Sequence, residues 1–447
     1  MTRLFGTDGV RGIANQKLTP KLCYDIGRAA AFVLTKNKKG KVLVGRDTRL
    51  SGDLVESALI AGFMSIGLDV DVAGIIPTPG VAYLTRTGDY LCGVSISASH
   101  NPFEYNGIKF FSSDGLKLDD SVEDEIEEKV LSTTKIYKDV TGENIGIVNR
   151  SSEFKQKYVD YLKGLTDERF DGFEVAVDAG NGAQSFIAEE VLKSYGAKVK
   201  IINKEPNGKN INDNCGSTNP KLIEELVKSE KSHIGMSFDG DADRIIAVDE
   251  LGKVVDGDHI LAIVATYLKE NNKLKNNAAV GTIMSNMGLK KYLETIDVDF
   301  IETKVGDRYI LEKMLKDDYV IGAEQSGHVI FLQYNTTGDG LATGIHLLEI
   351  MKKTGKKLSE LNGLMRDYPQ VLKNAKVLDE LKNKFDEFPE ITKAIKKVEE
   401  TYHGSGRVVI RPSGTEALVR VMIEGEDKDK LSRDADKLVK IIEDKLN

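Results

Sequence analysis

Asp239, Asp241 and Asp243 stand at alternate positions of one glycine-containing turn. Such a cluster concentrates negative charge that a hard divalent cation neutralises readily. A calcium EF-hand is a natural comparison, because Glu250 falls at its twelfth position. Arg244 nevertheless occupies the sixth position, where that loop needs Gly, and Ile245-Ile246-Ala247-Val248 continues as a strand. A magnesium site with room for a phosphoryl oxygen is the better expectation; a solvated acidic turn is the plainer alternative. The second signal is Ser99, in Ser97-Ala98-Ser99-His100-Asn101-Pro102, with Lys109 close behind in Asn106-Gly107-Ile108-Lys109. Serine beside His100 suggests a hydrolase triad, but no Gly-x-Ser-x-Gly elbow surrounds it. Next to a magnesium loop, Ser99 reads better as a phosphoryl carrier. Its phosphate would offer the metal a dianion, and the metal would draw charge from the transferring group.

Further turns supply cations. Arg411-Pro412-Ser413-Gly414-Thr415-Glu416 has a guanidinium for bidentate contact, hydroxyl donors, and a glycine that lets backbone N–H groups approach an anion. Arg420, across a hairpin, adds a second cation to this phosphate cradle. Arg11 lies in the turn Gly6–Gly12, and Gly45-Arg46-Asp47-Thr48-Arg49 is another Arg-bearing turn. The latter lacks the lysine of a Walker motif, so it does not indicate nucleotide binding, and Asp47 with Arg49 fits a structural ion pair.

Short β-branched runs alternating with helical stretches must position these groups, which argues for parallel sheets built from βαβ units. Thr19 caps a helix opened by Pro20. The order strand, helix, strand, third strand, polar loop occurs three times, with third-strand loops at Ser97–Pro102, Asp239–Arg244 and Glu324–His328. Ligands of open α/β sheets bind beyond the carboxyl ends of strands, so the three loops are expected to meet in one cleft. After Pro369 the pattern changes to a smaller α+β domain. The expected division is residues 1–150, 151–255, 256–367 and 368–447: three similar mixed-sheet α/β domains plus a C-terminal α+β domain around a central active-site cleft.

Composition narrows the function classes. The 447 residues carry 62 Lys and Arg against 70 Asp and Glu, a formal charge of −8. An acidic chain of this kind is a poor general binder of nucleic acid. No apolar run reaches the ~18–20 residues of a membrane span. The N-terminal residues lack a signal-peptide core. Cys23, Cys92 and Cys215 are odd in number and in no metal-ligand spacing. A cytoplasmic enzyme is expected, and His233, His259, His346 and His403 are expected to be structural.

Taken together, these motifs resemble the α-D-phosphohexomutase superfamily, with landmarks in all four segments in the family's order. The runs Ser99–Lys109, Val305-Gly306-Asp307-Arg308-Tyr309 and Glu324–His328 resemble the bacterial branch acting on glucosamine phosphates. The resemblance implies a phosphoserine at Ser99, and Mg²⁺ held by that phosphate with Asp239, Asp241 and Asp243. It implies sugar contacts from Glu324 and Ser326, and a cradle of Arg411, Ser413, Gly414, Thr415 and Arg420 for the non-reacting phosphate. A hexosamine monophosphate is then isomerised through a 1,6-bisphosphate, and a hexose 1,6-bisphosphate serves as activator. Acid–base help falls to Lys109 or His100. Lys109 is favoured as the base, on the expectation that Arg11 and Arg244 depress its pKa. Closure about residues 366–369 would exclude water. A homodimer through the first domain and a cyclic-dinucleotide synthase partner are also implied. Alternatives are a phosphomannomutase or phosphoglucomutase, a metal-dependent phosphatase, and a non-catalytic sugar-phosphate sensor.

Overall fold

The computed structural model describes every residue except 1–3, 7, 36–38, 133–139 and 414–416. Two compact units emerge: residues 1–282 with 301–364, and residues 283–300 with 365–447.

The first unit holds three sheets with one shared strand order. In the first sheet the order runs Val10–Ile13, Tyr105–Ser112, Cys92–Ile96, Lys41–Arg46, Asp69–Ile75, Val148–Arg150. The second runs Val254–Val255, Ile245–Asp249, Ile234–Phe238, Glu174–Asp178, Lys198–Ile202. The third runs Asp299–Thr303, Ala278–Thr282, Ile321–Ala323, Val329–Phe331, the same nucleus read from the other edge. Numbered within each repeat, the nucleus is always fourth strand, third, first, second. The first three strands are parallel in the first two sheets, as βαβ patterning requires. The fourth returns antiparallel beside the third in all three.

That return strand makes each reaction loop a hairpin connection. Ser97–Glu104 joins Cys92–Ile96 to Tyr105–Ser112, and the register sets Lys109 opposite Ser95. Asp239–Arg244 joins Ile234–Phe238 to Ile245–Asp249, with Phe238 opposite Ile245. Glu324–His328 joins Ile321–Ala323 to Val329–Phe331. The strands Cys92–Ile96 and Ile234–Phe238 are buried along their whole length, which gives their loops rigid roots.

Local signals hold where they rest on strong chemistry. Thr19 Oγ1 accepts the Leu22 N–H at 3.2 Å and the helix runs Pro20–Thr35. The helix Gly52–Met64 follows the strand Lys41–Arg46, and a 3₁₀ turn, Ala183–Phe186, leads into the helix Ala188–Ser194.

The second unit contains a three-stranded antiparallel sheet, Gln370–Lys376, Leu418–Glu424, Arg407–Pro412. The helix Lys428–Leu446 buries Leu431, Ala435, Leu438, Ile442 and Leu446, an apolar stripe at helical spacing. These pack with Val419, Val421 and Ile423 of the central strand.

Candidate active site

Ser99 lies just past the Cys92–Ile96 strand, is 1% exposed, and has φ = 51°, the left-handed region a serine rarely enters. Its hydroxyl donates to Asp239 Oδ2 at 2.6 Å and lies 3.4 Å from His100 Nδ1. Thus the serine and acidic loops, from separate sheets, meet directly.

Within the acidic loop, Asp239, Asp241 and Asp243 are buried and each offers a carboxylate oxygen within 4.8 Å of the others. Asp241 Oδ2 accepts Thr78 Oγ1 at 2.7 Å and Lys109 Nζ at 2.8 Å; Asp243 Oδ2 accepts Lys109 at 3.3 Å. The other oxygen of each, Asp241 Oδ1 and Asp243 Oδ1, is buried with no hydrogen-bond partner among the described residues. Orphaned carboxylate oxygens converging beside a third carboxylate fit a hard cation. Burial, then the charges of Asp243 and Asp241, push Asp239 well above the usual carboxylate range. The EF-hand alternative fails on geometry as well: Glu250 accepts Ser359 N and Oγ at 3.1 and 2.5 Å.

Lys109 requires a correction. Burial alone would lower its pKa, but Asp241, Asp8 and Asp243 surround the ammonium and hold it well above the ordinary lysine value. It is 2% exposed and lies 3.2 Å from Asp8. The expected depression by Arg11 and Arg244 is overridden because Arg11 pairs with Asp8 and Arg244 faces Asp243 at 3.9 Å. Lys109 is therefore a cation. His100 moves the other way: burial, then Arg244 and Arg11, lower it to about 4. Arg244 Nη1 lies 3.0 Å from its Nδ1, a donor facing a neutral acceptor.

Asp8 was absent from the expected site, and its place depends on a glycine. Gly9 has φ = 80°, and a Cβ there would lie 2.2 Å from the Ile108 carbonyl oxygen. Only glycine lets this turn lie against the Lys109 strand.

On the third sheet, Glu324 is half-buried and accepts the Gly306 N–H at 3.0 Å, while Ser326 is exposed. Gly327, φ = 92°, sits where a Cβ would be 2.0 Å from the Ile245 carbonyl oxygen, so this turn and the acidic-loop strand are fastened together. In the Val305–Tyr309 turn, the charged side chains do not project as free sugar contacts. Asp307 pairs with Lys117 at 2.6 Å and Arg308 with Asp120 at 2.6 Å. Lys117 also reaches Asp8 at 2.6 Å. His328 is buried, and its Nε2 accepts the Gly338 N–H at 2.9 Å.

In the second unit, Arg411 and Arg420 are directly opposite in the Arg407–Pro412/Leu418–Glu424 register, and both are half-buried. Ser413 is buried, its N–H donated to the Leu418 carbonyl at 2.8 Å. Gly414 and Thr415 lie outside the described residues.

Residues not anticipated as site members are Asp8, Thr78, Lys117 and Asn212, whose Nδ2 donates to the Ser99 carbonyl at 2.9 Å. Thr78 had a legible signal, since Pro77-Thr78-Pro79 follows the strand Asp69–Ile75 at its carboxyl end. Three of the remaining histidines have partners close by in the chain or sheet: His233 accepts the Glu174 N–H, His259 pairs with Asp256, and His346 pairs with Glu349. Burial raises all three thiols to about 12, consistent with inert cysteines. No helix among the described residues is long and apolar enough to cross a membrane.

Comparison with known proteins agrees with this architecture. The chain matches the phosphoglucomutase/phosphomannomutase family over alpha/beta/alpha domain I at residues 2–136, domain II at 156–252, domain III at 256–368, and the C-terminal domain at 372–441. It is 54% identical over 449 residues to a phosphoglucosamine mutase of Alkaliphilus oremlandii, covering 100% of both chains. Among solved structures, a phosphoglucomutase/phosphomannomutase family protein from Burkholderia thailandensis superposes with a TM-score of 0.83 at 22% identity, covering 100% of this chain and 99% of that one. The N-acetylphosphoglucosamine mutase of Aspergillus fumigatus, in complex with GlcNAc-6P and magnesium, superposes with a TM-score of 0.71 at 18% identity, covering 99% and 96%. The chain belongs to the phosphoglucomutase/phosphomannomutase family of the α-D-phosphohexomutase superfamily.

Proposed function

We propose that this enzyme interconverts glucosamine 6-phosphate and glucosamine 1-phosphate through a phosphoserine at Ser99 and a glucosamine 1,6-bisphosphate intermediate. The product would serve UDP-N-acetylglucosamine synthesis. The observation that carries the chemistry is the 2.6 Å contact between Ser99 Oγ and Asp239 within a cluster holding two orphaned carboxylate oxygens. Full-length identity above 50% to phosphoglucosamine mutases supports the amino sugar.

Asp239, Asp241 and Asp243 would hold Mg²⁺, which when bound withdraws charge from the transferring phosphoryl group. The chain's own groups do the rest. Phosphoserine 99 passes its phosphoryl group to O1 or O6 of the sugar, and the Ser99 oxygen takes up a proton as the P–O bond breaks. Lys109 enters this step charged, so it serves as acid and electrostatic partner rather than as starting base. Neutral His100 is the neighbouring group able to accept the sugar hydroxyl proton. Arg11 and Arg244 supply fixed positive charge near it. Glu324 and Ser326 orient the sugar hydroxyls, and Arg411, Ser413, Gly414, Thr415 and Arg420 cradle the phosphate that does not react. The cradle accepts either end of the sugar because the bisphosphate turns over between the two transfers.

The four-segment division at residues 150, 255 and 367 is part of this reading: each of the four sheets falls wholly within one segment. The family resemblance is what supports a homodimer, a cyclic-dinucleotide synthase contact and a cytoplasmic location.

The test is kcat/KM for glucosamine, glucose and mannose 6-phosphates with Mg²⁺ and a trace of glucose 1,6-bisphosphate. Preference for glucosamine 6-phosphate, lost in Ser99→Ala, is expected. Preference for glucose or mannose phosphate would move the activity to the phosphoglucomutase or phosphomannomutase alternative. Release of inorganic phosphate would indicate a phosphatase, and binding without turnover a sensor.

A further inference from the structure

The Arg-bearing turn Gly45–Arg49 has no part in the chemistry above, yet it is built around the nucleophile. Arg49 is 1% exposed, and every N–H of its guanidinium is engaged. Nε donates to Asp47 Oδ2 at 2.9 Å. Nη1 donates to the carbonyls of Pro102 and Tyr105 at 2.5 and 3.1 Å, and Nη2 to those of Ser99 and Asn101, both at 2.8 Å. Carbonyl oxygens from one short turn thus converge on a single cation. Their dipoles would repel one another without it, and a planar five-donor fork is the side chain that satisfies all of them.

The other side of Ser99 is held by the same pair. Asp47 Oδ1 accepts the Arg49 N–H at 3.0 Å, and Oδ2 accepts Ser97 Oγ at 2.5 Å. Ser97 Oγ in turn accepts the Ser99 N–H at 2.9 Å. Both backbone polar groups of Ser99 are therefore fixed, while its hydroxyl is left to Asp239. A non-glycine residue at φ = 51° is strained and persists only where its surroundings over-determine it.

We infer that Arg49, braced by Asp47 and Ser97, is a positioning residue that holds Ser99 in its left-handed turn and so aims the phosphoryl-carrying oxygen at the acidic loop. It touches the carrier's backbone and none of the reacting atoms. Lysine cannot replace it, because an ammonium has three donors and no fork. The inference rests on Ser99 being the phosphoryl carrier.

The test compares wild type with Arg49→Lys and Ser97→Ala. It reads the melting temperature, kcat and KM for isomerisation, and the rate at which glucose 1,6-bisphosphate phosphorylates Ser99, followed by intact-protein mass. Misplacement of the nucleophile predicts kcat about 100-fold lower in folded Arg49→Lys, with KM within about threefold, and Ser99 phosphorylation slowed in parallel. Ser97→Ala, which removes one link and threatens folding less, is expected to lose about tenfold. An Arg49→Lys enzyme within about twofold of wild-type kcat, or a loss carried by KM, overturns the inference. If Arg49→Lys does not fold, an unchanged kcat in Ser97→Ala overturns it. Wild-type protein that phosphorylates Ser99 but ignores glucosamine phosphates would refute the proposed substrate alone, and the phosphorylation rates would still decide the role of Arg49.

Discussion

The Ser99–Asp239 centre and the Arg411–Arg420 hairpin carry similar residue types in contrasting settings. Around Ser99, charged groups are buried, oppositely paired and anchored at the ends of buried strands: Lys109 is 2% exposed and Asp239 is fully buried. Arg411 and Arg420 instead face each other half-buried on a three-stranded sheet. The first arrangement suits groups that must stay fixed while a bond breaks, because burial removes competing water and makes each charge count for more. The second suits a site that grips a phosphate and releases it each time the sugar reverses. Variants in the centre are therefore expected to act on kcat, and variants in the hairpin on KM.

The largest expected effect separates chemistry from folding. Chelating Mg²⁺ should lower kcat by ~10³-fold or more. The melting temperature should shift little, because Lys109 already gives Asp241 and Asp243 a counter-charge. Unfolding upon chelation would show that the cation, not Lys109, holds the loops. Lys109→Ala comes next: kcat is expected to fall by 10²–10⁴-fold. The variant should also lose about 3–5 kcal/mol of stability, because Asp8, Asp241 and Asp243 lose their shared cation. Added Mg²⁺ should restore part of that stability, which thermal melts with and without the ion would read. Near-normal kcat would remove Lys109 from the reaction.

Arg411→Ala sharpens the other half of the comparison. A bidentate phosphate contact predicts KM raised by about 10–100-fold for both monophosphates, from a loss of ~1.5–3 kcal/mol, with kcat and Mg²⁺ dependence much less changed. Steady-state kinetics in both directions would check it, and an unchanged KM would refute the cradle.

A smaller effect concerns pH. Burial alone would raise Asp307, but Lys117 overcomes it and holds the carboxyl below its ordinary range. A depressed carboxylate stabilises the fold fully above its unfolded pKa of about 3.9, and that stability is lost as pH falls through the folded value. Lys117, raised chiefly by Asp307 and Asp8 against burial, stays charged throughout this range. The melting-temperature gap between wild type and Lys117→Met should therefore be largest near neutral pH and close as pH falls below about 4. A gap independent of pH would mean that Lys117 acts by packing alone.

What could be read in the sequence divides along the same lines. Asp239, Asp241, Asp243 and Ser99 were legible because residue type and local spacing define their chemistry. The repeated order of strands and loops was legible because hydrophobic alternation is local. Mixed sheets were expected, but which strand of each runs back was not legible, since Tyr105–Ser112 and Ile245–Asp249 have the composition of any buried strand, and direction depends on the length of the turn before them. The charge state of Lys109 was also hidden. It depends on Asp241, 132 positions away, and on Asp8, which only the close approach at Gly9 brings near. Arg49 and Asp47 were legible as an ion pair, and they do pair at 2.9 Å. That the pair encloses the Ser99 turn emerged only from the fold.

In the proposed reaction, Ser99 hands its phosphoryl group to an amino sugar. The most direct measurement is a single-turnover transfer from protein carrying labelled phosphate on Ser99, mixed with Mg²⁺ and unlabelled glucosamine 6-phosphate. The expected result is loss of label from Ser99 and its appearance in glucosamine 1,6-bisphosphate, then in the monophosphates, at a rate no slower than kcat. Label that stays on the protein, or that appears only as inorganic phosphate, would contradict it.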